Sequence, residues 1–121
     1  MKKLWLILCI IAVIICSSCS SKIHIPSQKK LISYMEDAGY TVDKSSIIGD
    51  INDVSRIVAT KGNSILDVCY QVKDGDFDTI LDFYGDNYEK SYITGCIDGF
   101  VYYASDKTVW EISKIDTDIE N

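Results

Sequence analysis

Residues 54–72, VSRIVATKGNSILDVCYQV, decide the fold of this chain. Two runs rich in β-branched residues, 54–60 and 65–72, are separated by Lys-Gly-Asn-Ser, a cluster typical of turns. The second run alternates apolar with polar side chains: Leu66, Val68, Tyr70 and Val72 share one face, and Asp67, Cys69 and Gln71 share the other. This period of two predicts a half-buried strand of an antiparallel hairpin.

Segments with a helical period lie on both sides of the hairpin. In the first, apolar residues recur every three or four positions between Ser27, a favourable N-cap, and Gly39, which can end a helix in the left-handed conformation. In the second, the period starts near Asp78 and weakens at Gly85. The sequence therefore predicts one helix before the hairpin and one after it.

Four more strands complete the predicted sheet. They are expected at 40–42, 93–96, 100–104 and 108–113, with a tight turn at Ser105-Asp106 before the last of them. The resulting order is α-β-β-β-α-β-β-β. We therefore expect an α+β fold, a small antiparallel sheet with two helices on one face.

The composition limits the size of the protein and its partners. Its 121 residues, 47% of them apolar, suffice for one small domain. The excess of 18 acidic over 12 basic residues excludes a basic nucleic-acid-binding protein, and the apolar content excludes a disordered chain. No nucleic-acid partner is therefore expected.

The N-terminus has the three parts of an export signal. Lys2 and Lys3 precede an apolar run at 4–15, and small residues follow the run. A helix needs about 20 apolar residues to cross the hydrocarbon core of a bilayer, whereas the stretch 4–19 has only 16 residues. The length favours a signal peptide that is removed over a permanent span.

Residues 16–19, CSSC, resemble the lipobox of bacterial lipoproteins, in which small residues precede an invariant, lipidated Cys. Ser17 and Ser18 fill the small positions, and Cys16 stands where the family usually has Leu. The resemblance implies cleavage before Cys19 and acyl chains such as palmitate on it. The protein would then lie on the outer face of the cytoplasmic membrane, or on the outer membrane of a Gram-negative cell. The alternatives are an uncleaved anchor and an ordinary secretory signal.

The sequence thus divides into four segments: a signal peptide at 1–18, the lipidated Cys and a tether at 19–28, one α+β domain at 29–115 and an acidic tail at 116–121. The tether contains the single histidine, His24, and a flexible segment cannot hold it in place as a catalytic base. Without Lys2 and Lys3 the mature chain has 10 basic and 18 acidic residues. We therefore expect lipid, and not charge, to hold the domain at an anionic membrane.

The start of the predicted domain, KKLISYMEDAGYTVDKS at 29–45, also resembles small uncharacterised extracytoplasmic domains of low-GC Gram-positive bacteria. In those domains a helix ends in a Met-acid-x-x-Gly-Tyr-x-Val phrase before the first strand. The resemblance implies an extracytoplasmic module and supplies no active site.

Two sets of residues are candidate sites within the domain. Asp74, Asp76 and Asp78 alternate as at the start of a calcium loop. However, Thr79 and Gly85 stand where such a loop needs its Gly and its final Glu. The alternative is that the acids stabilise the N-terminus of the second helix, where a helix dipole favours negative charge. No cofactor is otherwise expected.

Cys69 and Cys96 are the other candidate pair, because they are the two cysteines of the domain. In an oxidising compartment they form a possible disulfide, and closing such a loop would contribute roughly 3 kcal/mol. The alternative is that both are small buried apolar residues.

These observations predict a non-enzymatic, membrane-anchored lipoprotein that presents an acidic domain to a protein partner. One alternative is a carbohydrate or small-ligand module, since the strand containing Tyr102 and Tyr103 directs one ring to each face and should expose at least one. The other alternative is a hydrolase, which requires two carboxylates about 5 to 9.5 Å apart.

Overall fold

The computed structural model describes residues 23–117, so the predicted signal peptide, the predicted lipidation site Cys19 and the end of the predicted acidic tail lie outside the described residues. Pro26–Ile115 form one compact unit, and the described residues beside it belong to a second. In the second unit His24 and Asp116 exchange two backbone hydrogen bonds of 2.6 and 2.8 Å. Among the described residues, no helix has the length and apolar character needed to cross a membrane.

The first unit combines three helices with one antiparallel sheet. The helices are α1 (Gln28–Asp37), α2 (Phe77–Asn87), which follows a 3₁₀ turn (Asp74–Asp76), and α3 (Lys107–Ser113). The strands are β1 (Thr41–Asp43), β2 (Ser55–Lys61), β3 (Ser64–Tyr70), β4 (Ile93–Ile97) and β5 (Phe100–Ala104). They lie in the order β1-β2-β3-β5-β4, each antiparallel to its neighbours. The predicted α+β class and antiparallel sheet are confirmed.

Helix α1 forms as its capping residues predict. The Ser27 hydroxyl accepts a hydrogen bond from the backbone N–H of Lys30, and Gly39 has a φ of +92°. Leu31 and Met35, one turn apart, are completely buried. The compact unit begins at Pro26, slightly before the predicted domain boundary at residue 29. The cap residue Ser27 belongs to it, and so does Pro26, whose carbonyl accepts a hydrogen bond from the Tyr70 hydroxyl of β3.

Strand β3 lies at the centre of the sheet and is buried on both faces, not on one as predicted. Leu66 and Val68 are buried on one face, and Asp67 and Cys69 are equally buried on the other. The prediction failed because alternating polar residues suggest a solvated face, whereas here a helix covers them. The prediction assigned the residues of β3 to the correct faces, but it did not anticipate that the face with Asp67 and Cys69 is also buried.

The helices consequently lie on both faces of the sheet. Trp110 of α3, which contacts α1, packs against Tyr102 with ring centroids 5.2 Å apart. Tyr84 of α2 packs against Tyr103 at 5.7 Å. Because neighbouring residues of a strand point to opposite faces, α2 lies on the face opposite α1 and α3. Tyr102 and Tyr103 are each only 2% exposed, so the predicted exposed ring is not found.

The segment predicted as the last strand, 108–113, is helix α3. A carboxylate oxygen of Asp106 accepts a hydrogen bond of 2.8 Å from the Val109 N–H and so caps the helix. Ser105 supplies a second contact, because its hydroxyl accepts from the Ile65 N–H at 2.8 Å. These residues were predicted to form a hairpin turn, but their side chains instead start a helix.

Gly95 is required by close packing between β4 and β5. A Cβ at this position would lie 2.7 Å from the hydroxyl oxygen of Tyr102 and 3.0 Å from its ring. Tyr102 is buried, so its ring has little room to move. We expect Gly95→Ala to lower the free energy of unfolding by about 1–3 kcal/mol, the usual effect of overpacking, as measured by urea denaturation.

Gly85, inside α2, is the matched control. A Cβ there would meet no atom within 4 Å, and Ala is favoured over Gly in a helix by about 0.5–1 kcal/mol. We expect Gly85→Ala to stabilise the chain. Equal effects of the two substitutions would contradict the packing described for Gly95.

Candidate functional site

The polar centre of the domain is a buried ion pair between β2 and β3. The Arg56 Nε donates to one carboxylate oxygen of Asp67 at 3.0 Å, and an Nη donates to the other at 2.6 Å. The Asp67 side chain is fully buried, and that of Arg56 is 7% exposed. Two parallel hydrogen bonds of this kind fix both the distance and the plane of the two groups.

Helix α2 and its C-cap residue complete this pair with two hydroxyl groups. Tyr84 donates to one oxygen of Asp67 at 3.3 Å, and Tyr88, one turn later, donates to the other at 2.6 Å. Each carboxylate oxygen therefore accepts two hydrogen bonds. Among the described residues, every buried side-chain nitrogen and oxygen has a partner. We call Arg56, Asp67, Tyr84 and Tyr88 the buried network.

Aromatic rings enclose the network. The Arg56 guanidinium lies 4.9 Å from the centre of the Phe83 ring, an arrangement that attracts a cation to the ring face. Tyr88 stacks on Tyr103 with ring centroids 4.4 Å apart. The Tyr103 hydroxyl donates to the carbonyl of Lys90, just beyond the end of α2. These contacts hold the C-terminal part of α2 against the sheet.

Burial and charge hold the network in one protonation state. Burial opposes the Arg56 charge, but the hydrogen bonds and charge of Asp67 outweigh it and raise the Arg56 pKa. Burial, followed by the nearby Asp67 charge, raises the pKa of both Tyr84 and Tyr88. Burial also raises the pKa of the Cys69 thiol to about 11. Cys69 therefore stays protonated at neutral pH and is a poor nucleophile.

The possible disulfide between Cys69 and Cys96 is not formed, and both thiols are free. Both residues are register partners of Val101, one on each side of β5. Two strand spacings separate them by about 10 Å, beyond the roughly 7 Å that a disulfide can span. Cys69 is buried, as the alternative expected, but Cys96 is exposed.

The calcium candidates are not brought together. Asp74 and Asp76 lie in the 3₁₀ turn, and Asp78 lies in the first turn of α2. Within residues 23–117, no group of three or more acidic, His or Cys side chains could hold a metal ion. Their positions match the alternative, in which acids lie at the helix N-terminus, although Asp76 makes no side-chain capping bond.

A cleft of about 540 Å³ lies beside the C-terminal end of α2. It is lined by Asn63, Ser64, Ile65, Asn87, Tyr88, Glu89, Lys90, Ser105 and Asp106. Burial opposes ionisation of Asp106, but hydrogen bonds from the Val109 N–H and from neighbouring hydroxyl groups outweigh it and lower its pKa. Asp106 is thus an ionised helix cap, not a carboxylic acid ready to donate a proton, as a glycoside hydrolase would need.

The outer side of α2 is acidic. Asp78, Asp82 and Asp86 recur every four residues and are exposed, and Glu89 follows the helix. No ion pair in the described part of the chain involves them. We call these four residues the acidic face.

Known proteins do not identify this arrangement. Comparison with models of protein families, with curated proteins and with solved structures gives no match. Sequence reasoning missed the buried network, because Arg56 and Asp67 lie eleven residues apart and only the hairpin register makes them diagonal neighbours.

Breaking the buried ion pair should destabilise the domain strongly. Asp67→Asn leaves the Arg56 charge buried without a counter-charge, so we expect urea unfolding to show a loss of about 3–5 kcal/mol. Replacing both partners, Arg56→Met with Asp67→Asn, should be less harmful than the single change. Asp53→Asn, which breaks the exposed pair with Lys73, should have little effect. Equal losses at the two sites would contradict the network.

Alkaline pH should unfold the domain through its tyrosines. A raised folded-state pKa favours the protonated form, so the stability due to Tyr84 and Tyr88 is complete below about pH 10 and falls as the pH rises above it, because the unfolded tyrosines ionise first. In urea unfolding between neutral and alkaline pH, Tyr88→Phe should make this fall shallower. Tyr92→Phe, at a half-exposed position, should leave it unchanged.

Proposed function

We propose that this chain is a small lipoprotein, lipidated on Cys19, whose acidic domain binds a cationic segment of a partner protein at the outer face of the cytoplasmic membrane. The proposed function is non-enzymatic. The lipobox-like CSSC at 16–19 supports the anchor, and the acidic face of α2 supports the binding function.

The acidic face is the observation that carries the binding proposal. Carboxylates four residues apart on a helix repel one another, and none of these acids forms an ion pair in the described part of the chain. A cationic segment laid along α2 relieves this repulsion and arrives faster in the field of an acidic protein. The buried network fixes the inner side of the same helix, so the acidic face is presented on a rigid support.

The cleft favours a second candidate function, binding of a neutral polar ligand such as a carbohydrate. Its volume is in the range of small-molecule sites. Asn63, Asn87 and Ser105 line it with amide and hydroxyl groups, and Tyr88 adds an aromatic edge. The Tyr88 ring packs against the rings of Phe83, Tyr84 and Tyr103, so Tyr88 offers a sugar no open face for stacking. We therefore place carbohydrate binding second.

Metabolic labelling with a fatty-acid analogue tests the anchor. The wild-type chain and Cys16→Ala should take up label and fractionate with membranes, because Cys16 precedes the cleavage site. Cys19→Ala should take up none. Label on the Cys19 variant, or a wild-type chain without label, would overturn the lipoprotein assignment.

Neutralising the three aspartates of the acidic face tests the binding function. Asp78→Asn, Asp82→Asn and Asp86→Asn together should lower capture of the partner from the envelope by at least about tenfold, and salt should weaken wild-type capture. The control removes three exposed charges elsewhere, Glu36→Gln, Asp37→Asn and Glu111→Gln, and should retain capture. An equal loss in both variants would show that net charge, and not this face, is responsible.

A further inference from the structure

Helix α1 carries its charges in the order that a helix dipole disfavours. Lys29 and Lys30 lie in its first turn, where the partial charge of the helix is positive, and Glu36 and Asp37 lie in its last turn, where that charge is negative. The first turn contains no acid, and the last turn contains no base. Neither lysine forms an ion pair in the described part of the chain. The stability of the helix therefore does not explain where these lysines lie.

A third lysine lies on the same side of α1. The Nζ of Lys114, the residue that ends α3, lies 5.3 Å from the centre of the Tyr34 ring. Tyr34 follows Lys30 by one helical turn, so these two residues share one side of α1. All three lysines are exposed. We call Lys29, Lys30 and Lys114 the basic patch.

The basic patch lies where the chain enters and leaves the compact unit Pro26–Ile115. Lys29 and Lys30 are three and four residues from the first residue of the unit, and Lys114 is one residue from the last. Lys29 also follows Cys19 by ten residues, which span at most about 36 Å when fully extended. Acyl chains on Cys19 would therefore hold this end of the unit close to lipid headgroups.

The negative charge of the unit is concentrated away from the basic patch. The acidic face belongs to α2, which lies on the face of the sheet opposite α1 and α3. A helix alone is about 10 Å across, more than the Debye length of about 8 Å at physiological ionic strength. On the α1 and α3 side, Glu111 lies 4.0 Å from Lys107, and Glu36 lies about 10 Å along the helix axis from the lysines of α1. An anionic surface can therefore contact the basic patch without meeting the acidic face.

We propose that the basic patch contacts the anionic lipid headgroups of the membrane, so that α1 and α3 face the lipid and the acidic face of α2 is directed away from it. This orientation rests on the proposed lipid anchor. The acyl chains attach the domain, and the lysines determine which of its sides meets the membrane. Each lysine beside an anionic membrane surface favours binding about fivefold, so three lysines next to a tether suffice to make one orientation predominate. That orientation leaves the acidic face accessible to a partner protein.

Paramagnetic relaxation by labelled lipid headgroups tests the orientation. The full lipidated chain is placed in phospholipid nanodiscs that contain a gadolinium-chelate lipid, and nuclear magnetic resonance measures the relaxation of each amide. In phosphatidylglycerol discs, the amides in the first turn of α1 should relax much faster than those of α2. In phosphatidylcholine discs, which have no net charge, this difference should be smaller. An equal difference in the two lipids, or faster relaxation of α2 in phosphatidylglycerol, would overturn the proposal.

Replacing all three lysines of the basic patch by Gln tests the patch itself. The ratio of docked to undocked chain should fall by about 100-fold, and the relaxation difference in phosphatidylglycerol should fall to its value in phosphatidylcholine. The control replaces three other exposed lysines: Lys44→Gln, Lys73→Gln and Lys90→Gln. The control should keep the wild-type difference. An equal loss in both variants would show that net charge determines the orientation, and would overturn the proposal.

Urea unfolding separates docking from folding. Because the lysines in the first turn of α1 oppose the helix dipole, Lys29→Gln with Lys30→Gln should not lower the free energy of unfolding. A lower free energy of unfolding would show that these lysines stabilise the helix itself. That result would overturn the argument that they serve an external anion.

Flotation with vesicles distinguishes failure of the docking from failure of the anchor. A wild-type chain that floats with both phosphatidylcholine and phosphatidylglycerol vesicles, but has no lipid-dependent orientation, would keep the anchor and overturn the docking. A chain that floats only with phosphatidylglycerol vesicles, and no longer does so without the basic patch, would overturn the anchor and keep the docking. Retention on sulfated agarose through the same lysines, without docking on phosphatidylglycerol, would assign the basic patch to an anionic polymer and overturn the proposal.

Discussion

The ion pair between Arg56 and Asp67 is the constraint on which the rest of the domain depends. Leaving either charge buried alone would be strongly unfavourable, because burial removes its hydration. Here the lost hydration is replaced by hydrogen bonds: the guanidinium donates two and the two tyrosine hydroxyls donate one each, so that the carboxylate accepts four. A satisfied network of this kind favours one arrangement of strands and helix over its competitors.

The network also fixes register and layer order. A one-residue slip of β3 would turn Asp67 toward the face occupied by Leu66 and Val68, among apolar side chains. Helix α2 must lie on the Asp67 face, since Tyr84 and Tyr88 supply the remaining hydrogen bonds. The buried carboxylate thus accounts for the position of α2 on this face of the sheet. The side of α2 that carries Tyr84 packs against the sheet, and its acidic side is exposed.

The sequence predicted those elements whose signals are local. Ser27 and Gly39 bound α1 correctly, and β5 was predicted with the observed limits, because caps and periodicity act over a few residues. Helix α3 was missed because Thr108, Trp110 and Ile112 alternate as residues of a strand do, whereas the Asp106 side chain caps a helix there. The position of Cys96 was missed for another reason: only the insertion of β5 between β3 and β4 separates it from Cys69. Strand order of that kind is decided by long-range packing.

Of the candidate sites, only the acidic residues could be read from the sequence, whereas the cleft and the buried network could not. The run of acids from Asp74 to Glu89 is visible in the sequence, and the structure shows which of them share the exposed side of α2. The role of Arg56 depends on its diagonal position across the hairpin and on a helix that starts some twenty residues later.

Hydrogen exchange of the Arg56 side chain, followed by nuclear magnetic resonance on the wild-type chain, tests the central claim most directly. The account predicts that the Nε–H of Arg56 exchanges with solvent orders of magnitude more slowly than a free arginine side chain, with an exchange rate matching that of the neighbouring β2 and β3 amides. Exchange at the rate of a solvated guanidinium, while those amides remain protected, would show that the pair is not buried and would contradict the account.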